Sequence, residues 1–215
     1  MATFIDLSYP LEQGQLNFPS DPQIRVRVHD TVAGIGYNIT EISISTHHGT
    51  HLDVPYHFYD DGRTVDRMPL DKFYGPASLV DLAPGRYLPA KTPITPAMFE
   101  PFGDRFRPGA KVIYRTGWER MFGTPEFFTD IPTLTPDAAR WIAERRIGLL
   151  GMDTPTPSAD WQEVHWTLLK KGLEIVIVEA LANLDKLPEQ FTLAAFPLNI
   201  KGRDGSPVRA VAIVD

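Results

Sequence analysis

The sequence predicts a mixed α/β fold, and three observations carry that prediction. Five short apolar runs are each bounded by Gly, Pro or Asp, as buried strands are. Helix starts with capping hydroxyls fall between some of them, which suits strand–helix–strand units. A chain of 215 residues with 43% hydrophobic content can also bury a sizeable core as one unit, so a single domain is expected over residues 1–215.

In chain order, the first strand signal is Ile42 and Ile44 alternating with Ser43 and Ser45, the period-two pattern of a half-buried strand. Ala77 to Leu82 and Lys111 to Arg115 follow as buried strands. Thr135 before Pro136 marks a helix start, because a hydroxyl can accept from the free first-turn amides and proline at the next position loses no bond. Ile147 to Met152 is the next strand. Ser158 before Ala159-Asp160 reads as a second cap, giving a helix over 159 to 171 that Gly172 stops. Glu174 to Val178 and Val208 to Val214 complete the strands. The segments 147–152, 159–171 and 174–178 form a strand–helix–strand unit with a right-handed crossover. Asp153 and Glu179 then lie at the carboxyl ends of its strands, the edge where open α/β sheets bind ligands. The 20 prolines fall largely in the connections, which predicts long ordered loops, and no internal repeat is present.

Composition removes several function classes. The formal net charge of −6, with scattered basic residues, offers no footing for nucleic acid or an anionic membrane. The amino terminus has no basic region ahead of an apolar run, and no stretch approaches the ~18 apolar residues of a membrane span. Zero cysteines excludes disulfides, thiolate ligands and a cysteine nucleophile, and the cytoplasm is the expected compartment.

The chemistry is concentrated between His47 and His57, where four of the six histidines and a carboxylate stand within one short stretch. Imidazole and carboxylate are the ligand set of Zn²⁺, Mn²⁺ and Fe²⁺. Gly49 and Pro55 oppose a helix here, so the segment is extended. His47, His51, Asp53 and His57 lie at even offsets and would share a face, yet a straight strand would spread them over about 33 Å at ~3.3 Å per residue. Ligands on one ion sit ~2.0 to 2.2 Å from it, so the chain must bend, and Gly49-Thr50 is the expected turn. His47 then folds back beside His51 and Asp53. His57 lies beyond Pro55 as a proton carrier or, alternatively, a ligand. His48 has the opposite parity and is expected to point away and hydrogen-bond locally, while His29 reads as a surface or packing residue.

The string His-x-Gly-Thr-His-x-Asp-x-Pro-x-His resembles the signature of the metal-dependent cyclase family, which includes bacterial kynurenine formamidase and isatin hydrolase. Further resemblance lies in Asp6-Leu7-Ser8, Phe18-Pro19-Ser20-Asp21-Pro22, Gly151-Met152-Asp153-Thr154, Asn183-Leu184, Phe196-Pro197-Leu198 and Gly205-Ser206-Pro207-Val208-Arg209-Ala210. The resemblance implies a swivelling β/β/α-type fold, a homodimer or a pair of dimers, and hydrolysis of an amide or lactam C–N bond. It also implies metal-site roles for His165 and Glu179, which by themselves would read as a packing residue and as the point where a strand emerges into water. In that family the glutamate stands about two residues nearer the histidine, so Leu173-Glu174 resembles a short insertion and Glu174 is the alternative candidate.

The expected site therefore consists of metal ligands His47, His51, Asp53, His165 and Glu179, with His57 as the catalytic proton carrier. One or two divalent ions, Zn²⁺ or Mn²⁺, would acidify a water from pKa 15.7 to roughly 7 and polarise the substrate carbonyl. Phe18, Tyr56 and Trp118, with Phe58, are candidates for an aromatic wall facing a planar aryl amide or lactam. The expected reaction is that of an arylformamidase, N-formylkynurenine giving kynurenine and formate; opening of isatin or another cyclic amide or lactone is the alternative. His51, Asp53 and His165 also satisfy the two-histidine, one-carboxylate triad of non-haem iron oxygenases, but that triad has no use for His47 and His57. A third alternative is an ion that only staples a binding module, and the surplus of imidazoles argues against it. Serine catalysis is disfavoured because no Gly-x-Ser-x-Gly elbow occurs.

Overall fold

The computed structural model describes residues 1–214. The strands are β1 (Thr3–Asp6), β2 (Arg25–Asp30), β3 (Ile39–Ser43), β4 (His51–Asp53), β5 (Tyr74–Asp81), β6 (Pro93–Ile94), β7 (Lys111–Arg115), β8 (Thr133–Leu134), β9 (Leu149–Met152), β10 (Val176–Glu179), β11 (Gln190–Ala194), β12 (Gly205–Pro207) and β13 (Val211–Val214). The helices are short: α1 (Val32–Ile35), α2 (Pro96–Phe99), α3 (Glu126–Thr129), α4 (Pro136–Glu144) and α5 (Trp161–Leu168).

Nine strands form one mixed sheet in the order β1-β13-β11-β5-β7-β9-β10-β4-β12. Its centre is parallel, β5 to β7 to β9 to β10, and both flanks are antiparallel. Because side chains alternate across a strand, adjacent residues feed two separate cores. Leu79, Ile113, Leu149 and Val176 pack on one face with Leu52, Phe73 and Leu193. Val80, Val112, Leu150 and Ile177 pack on the other against Ala138 and Ile142 of α4 and Val164 and Leu168 of α5.

Lys111–Arg115 forms with the expected bounds, and the other predicted core strands shift by one to three residues. Thr135 caps α4, its hydroxyl accepting from the Ala138 amide at 3.2 Å. Two expectations are corrected. Helix α5 begins at Trp161 with Asp160 as its first flanking residue; the buried Ser158 hydroxyl instead accepts from the Asp160 amide at 3.1 Å, turning the chain before the helix. The Ile42/Ile44 pattern does mark a strand, but among the described residues β3 pairs only with β2 in a separate hairpin, and Ile42 is 57% exposed. Alternation reports a sheet face and cannot say whether anything packs on it.

Register is what builds the site. Strand β4 is gripped on both sides, by β10 with Glu179 opposite His51 and by β12 with Gly205 opposite Asp53. The carboxyl end of β10, the strand following α5, thus meets the histidine-rich segment directly.

Candidate metal centre

Gly49 takes φ 61°, the left-handed conformation open to glycine at little cost, and the chain reverses there. His47 consequently lies back against β4, its ring 5.2 Å from that of His51. Its Nδ1 is 2.8 Å from Asp53 Oδ1. After β4, Pro55 starts a single 3₁₀ turn, Pro55–His57, which carries the His57 ring round to stack on His47 at 3.9 Å. His57 Nε2 is 4.0 Å from Asp53 Oδ2, beyond a hydrogen bond.

The other half of the site comes from α5 and β10. His165 sits one turn below Trp161 and is held by it, Nδ1 lying 2.6 Å from the Trp161 carbonyl oxygen. His51 is held the same way, Nδ1 2.9 Å from the Gly49 carbonyl oxygen. A carbonyl can only accept, so both rings carry a proton on Nδ1 and present Nε2 inward. His51 Nε2 is 3.5 Å from Asp53 and 3.3 Å from Glu179, and His165 Nε2 is 3.4 Å from Asp53 and 3.3 Å from Glu179.

Two imidazole lone pairs facing two carboxylates in a buried space repel one another unless a cation stands among them. A proton or a metal ion answers that need. The donor set, with imidazole nitrogens fixed through their far nitrogen and two nearly inaccessible carboxylates, fits a divalent cation of the Zn²⁺ or Mn²⁺ kind. Two groups of donors lie close enough together to share an ion, His51 with Asp53 and Glu179, and His47 with Asp53 and His57. Asp53 belongs to both.

The same crowding sets the protonation of the metal-free chain. Burial pushes the imidazolium of His47 down, but the Asp53 charge and the hydrogen bonds to Asp204 and Asp53 outweigh it and lift its pKa to about 10. His165 is likewise penalised by burial and raised by Asp53 and Glu179 to about 9. Asp53 pays for burial too, yet the surrounding histidines hold it well below the usual carboxylate range. His57 moves the other way: burial lowers it, and His47 and His165 add to the fall while Asp53 partly offsets it.

These groups open on a cavity of about 490 Å³ whose apolar lining includes Phe18, Phe58, Pro155 and Trp161. Phe58 stacks on His165 at 4.7 Å and 6°, and Trp161 meets Phe58 edge-on at 5.9 Å. Of the aromatic candidates, Phe18 reaches the cavity. Tyr56 does not line it, and Trp118 is fully buried, packed with Phe127 and Ile131 and donating its indole N–H to the Phe127 carbonyl at 3.1 Å. Trp161 is the aromatic residue that sequence reasoning missed, although its place four residues before His165 puts both on one helix face.

Asp204 was also missed. Its Oδ2 lies 2.5 Å from His47 Nε2. Asp204 stands immediately before Gly205, which opens the strand that pairs with β4, and that adjacency was the available signal. Glu174, by contrast, lies away from the centre in a left-handed turn at φ 51° and pairs with Arg63 at 3.2 Å, so it is Glu179 that reaches the centre. His29 is exposed on β2. His48 is buried and turned away as expected, but its partner is not local: Nε2 bonds Gln15 Oε1, 33 residues away, at 2.8 Å. Asp153 faces inward from the end of β9 and accepts from the amides of Thr116, Gly117 and Trp118 at 2.6 to 3.1 Å, tying the turn after β7 in place.

The sequence profile of the Cyclase family matches residues 5–159, most of the chain. The chain belongs to the Cyclase family. Among family members, the kynurenine formamidase of Bacillus cereus is 31% identical over 216 aligned positions, covering 97% of this chain and 96% of its own. That of Geobacillus thermodenitrificans is 31% identical over 214 positions, covering 98% and 97%. A solved structure of isatin hydrolase A from Labrenzia aggregata superposes with a TM-score of 0.86 at 29% identity, covering 99% of this chain and 94% of that one. The mixed α/β, single-domain architecture expected from sequence is therefore the Cyclase family's own.

Proposed function

We propose that this Cyclase family member is a metal-dependent amidohydrolase of non-peptide C–N bonds, first of all an arylformamidase that converts N-formylkynurenine to kynurenine and formate. The observation that carries the reading is the convergence of the His51 and His165 Nε2 atoms on Asp53 and Glu179 beside an aromatic-lined cavity. Similarity to two kynurenine formamidases over nearly the full length supports it. The likeness to isatin hydrolase A supports a cyclic amide as the second reading.

His47, His51, Asp53, His165 and Glu179 would hold one or two divalent ions, Zn²⁺ or Mn²⁺. A cation held there supplies Lewis acidity, which acidifies water and polarises a carbonyl. The protein's own groups do the rest. Phe18, Phe58 and Trp161 offer flat apolar surface to an aryl ring and exclude water beside the scissile bond. His57 is the proton carrier: its lowered pKa leaves it neutral near pH 7, able to take the proton of the attacking water and return it to the leaving nitrogen.

No helix among the described residues is long and apolar enough to cross a membrane. We assign the enzyme to the cytoplasm and to a homo-oligomer, dimer or tetramer. The exposed apolar side chains of the β2–β3 hairpin support the second assignment, Val28, Val32, Tyr37 and Ile42 all being more than half exposed.

The test is a side-by-side assay of N-formylkynurenine, isatin and simple lactones with Zn²⁺ or Mn²⁺ supplied. Metal-dependent release of formate from N-formylkynurenine, faster than any ring opening, is expected. Turnover of isatin alone would move the enzyme to the second reading, and turnover of none would refute both.

A further inference from the structure

Of the four histidines that face the carboxylates of this centre, the three read as ligands are oriented in two different ways. His51 and His165 are fixed by backbone carbonyls, which no substitution removes. His47 is fixed by a side chain, Asp204. Resting on the metal reading above, we propose that Asp204 is the positioning residue of the site: it holds the His47 imidazole in the Nε2–H tautomer, so that the Nδ1 lone pair is aimed at the position Asp53 also faces.

The chemistry of the contact requires this. A carboxylate at 2.5 Å from Nε2 accepts a hydrogen, so Nε2 carries the proton. That leaves Nδ1, 2.8 Å from Asp53 Oδ1, as the nitrogen that exchanges its proton for a cation. Asp204 is itself aimed. Thr46 Oγ1 donates to the same Oδ2 at 3.0 Å, and the Asp204 carbonyl accepts from the Val54 amide at 3.1 Å, which ties it to the end of β4. The neighbouring residue must be glycine for the arrangement to exist. A Cβ on Gly205 would lie 2.9 Å from His47 Cε1 and 2.5 Å from the Leu52 carbonyl oxygen, so a side chain there would displace the ring that Asp204 grips. Asp204 Oδ2 is 4.0 Å from His57 Nδ1, too far for a hydrogen bond, so its hold is on His47.

Asp204→Ala and Asp204→Asn separate this role from a merely structural one. Zn²⁺ affinity is read by chelator competition, and the His47 tautomer by imidazole ¹⁵N shifts of the zinc-loaded protein. In the parent, His47 should show a protonated Nε2 and a coordinated Nδ1. Asp204→Ala should lower Zn²⁺ affinity about 10- to 100-fold, the usual cost of removing a carboxylate behind a histidine ligand. Asp204→Asn, whose amide oxygen still accepts from Nε2, should recover most of that loss. An Ala variant that binds Zn²⁺ as tightly as the parent, or a His47 protonated on Nδ1 in the loaded parent, overturns the proposal while leaving the metal site intact. A parent that binds no divalent ion overturns both.

Discussion

Asp53 is the residue on which the centre turns. It is almost wholly buried, and within 4.0 Å it meets His47, His51, His57 and His165. Asp53→Asn removes the charge that all four face and replaces one acceptor oxygen by a donor. The expected result is loss of bound metal and of turnover together, checked by elemental analysis and formamidase assay; an active, metal-loaded variant would defeat the assignment. His57 should behave differently because, among the described residues, it touches no carboxylate within hydrogen-bond distance. His57→Gln should retain metal while turnover falls by ~10² to 10⁴. Loss of metal in that variant would place His57 among the ligands. Trp161 completes the residue scale: Trp161→Ala should raise KM for aryl substrates more than for small aliphatic formamides, since it removes a stacking face and leaves its backbone carbonyl on His165.

At the scale of elements, the site is a consequence of strand register. Strand β4 has only three residues, yet it is paired on both sides, and a slip of one position against β10 or β12 would turn His51 and Asp53 to the opposite face. Gly205 is where this is most exposed to test. Gly205→Ala forces a Cβ against a backbone carbonyl, so the strand itself must move. A stability loss of about 1 to 3 kcal/mol in urea unfolding is expected, together with weakened metal binding. An Ala variant with parental stability and metal affinity would show that β12 does not press on His47 as described. Elements also explain which expectations from sequence held. The buried strands were legible because they are apolar on both faces, whereas the Ser158 cap was misplaced and the strand through Ile42 proved exposed instead of half-buried, because each depended on neighbours that sequence does not list.

For the molecule as a whole, the charge cluster couples stability to pH. In the metal-free chain His47 and His165 have pKa values of about 10 and about 9, above the ordinary histidine value of 6.5. A group raised on folding stabilises fully below its unfolded pKa and loses that contribution as pH climbs through the folded one. The melting temperature of the metal-free protein should therefore be higher at pH 6.5 than at pH 10. Added Zn²⁺ or Mn²⁺ competes with those protons, so its stabilising increment should grow over the same interval; a metal-free melting temperature that rises towards pH 10 would contradict this protonation pattern. The β2–β3 hairpin sets a second whole-molecule expectation. Its exposed apolar side chains predict a sedimenting species larger than one chain, and Ile42→Lys should shift that species towards monomer; an unchanged sedimentation coefficient would rule out the hairpin as the contact.

The linear chain was enough to determine the donor inventory, His47, His51, Asp53 and His57 in one segment, because ligand types and the Gly49 bend are local properties. It also determined the strand–helix–strand unit that ends in Glu179, since apolar runs are local too, although the Ser158 cap expected for its helix did not form. What only the tertiary structure decided was which distant groups meet them. Asp204 reaches His47 across 157 positions, Trp161 enters the cavity while Trp118 is withdrawn into the core, and Glu174 is left outside. Those choices follow from the pairing of β4 with β10 and β12, and pairing between strands far apart in the chain is set by how the two cores close, which no local pattern records.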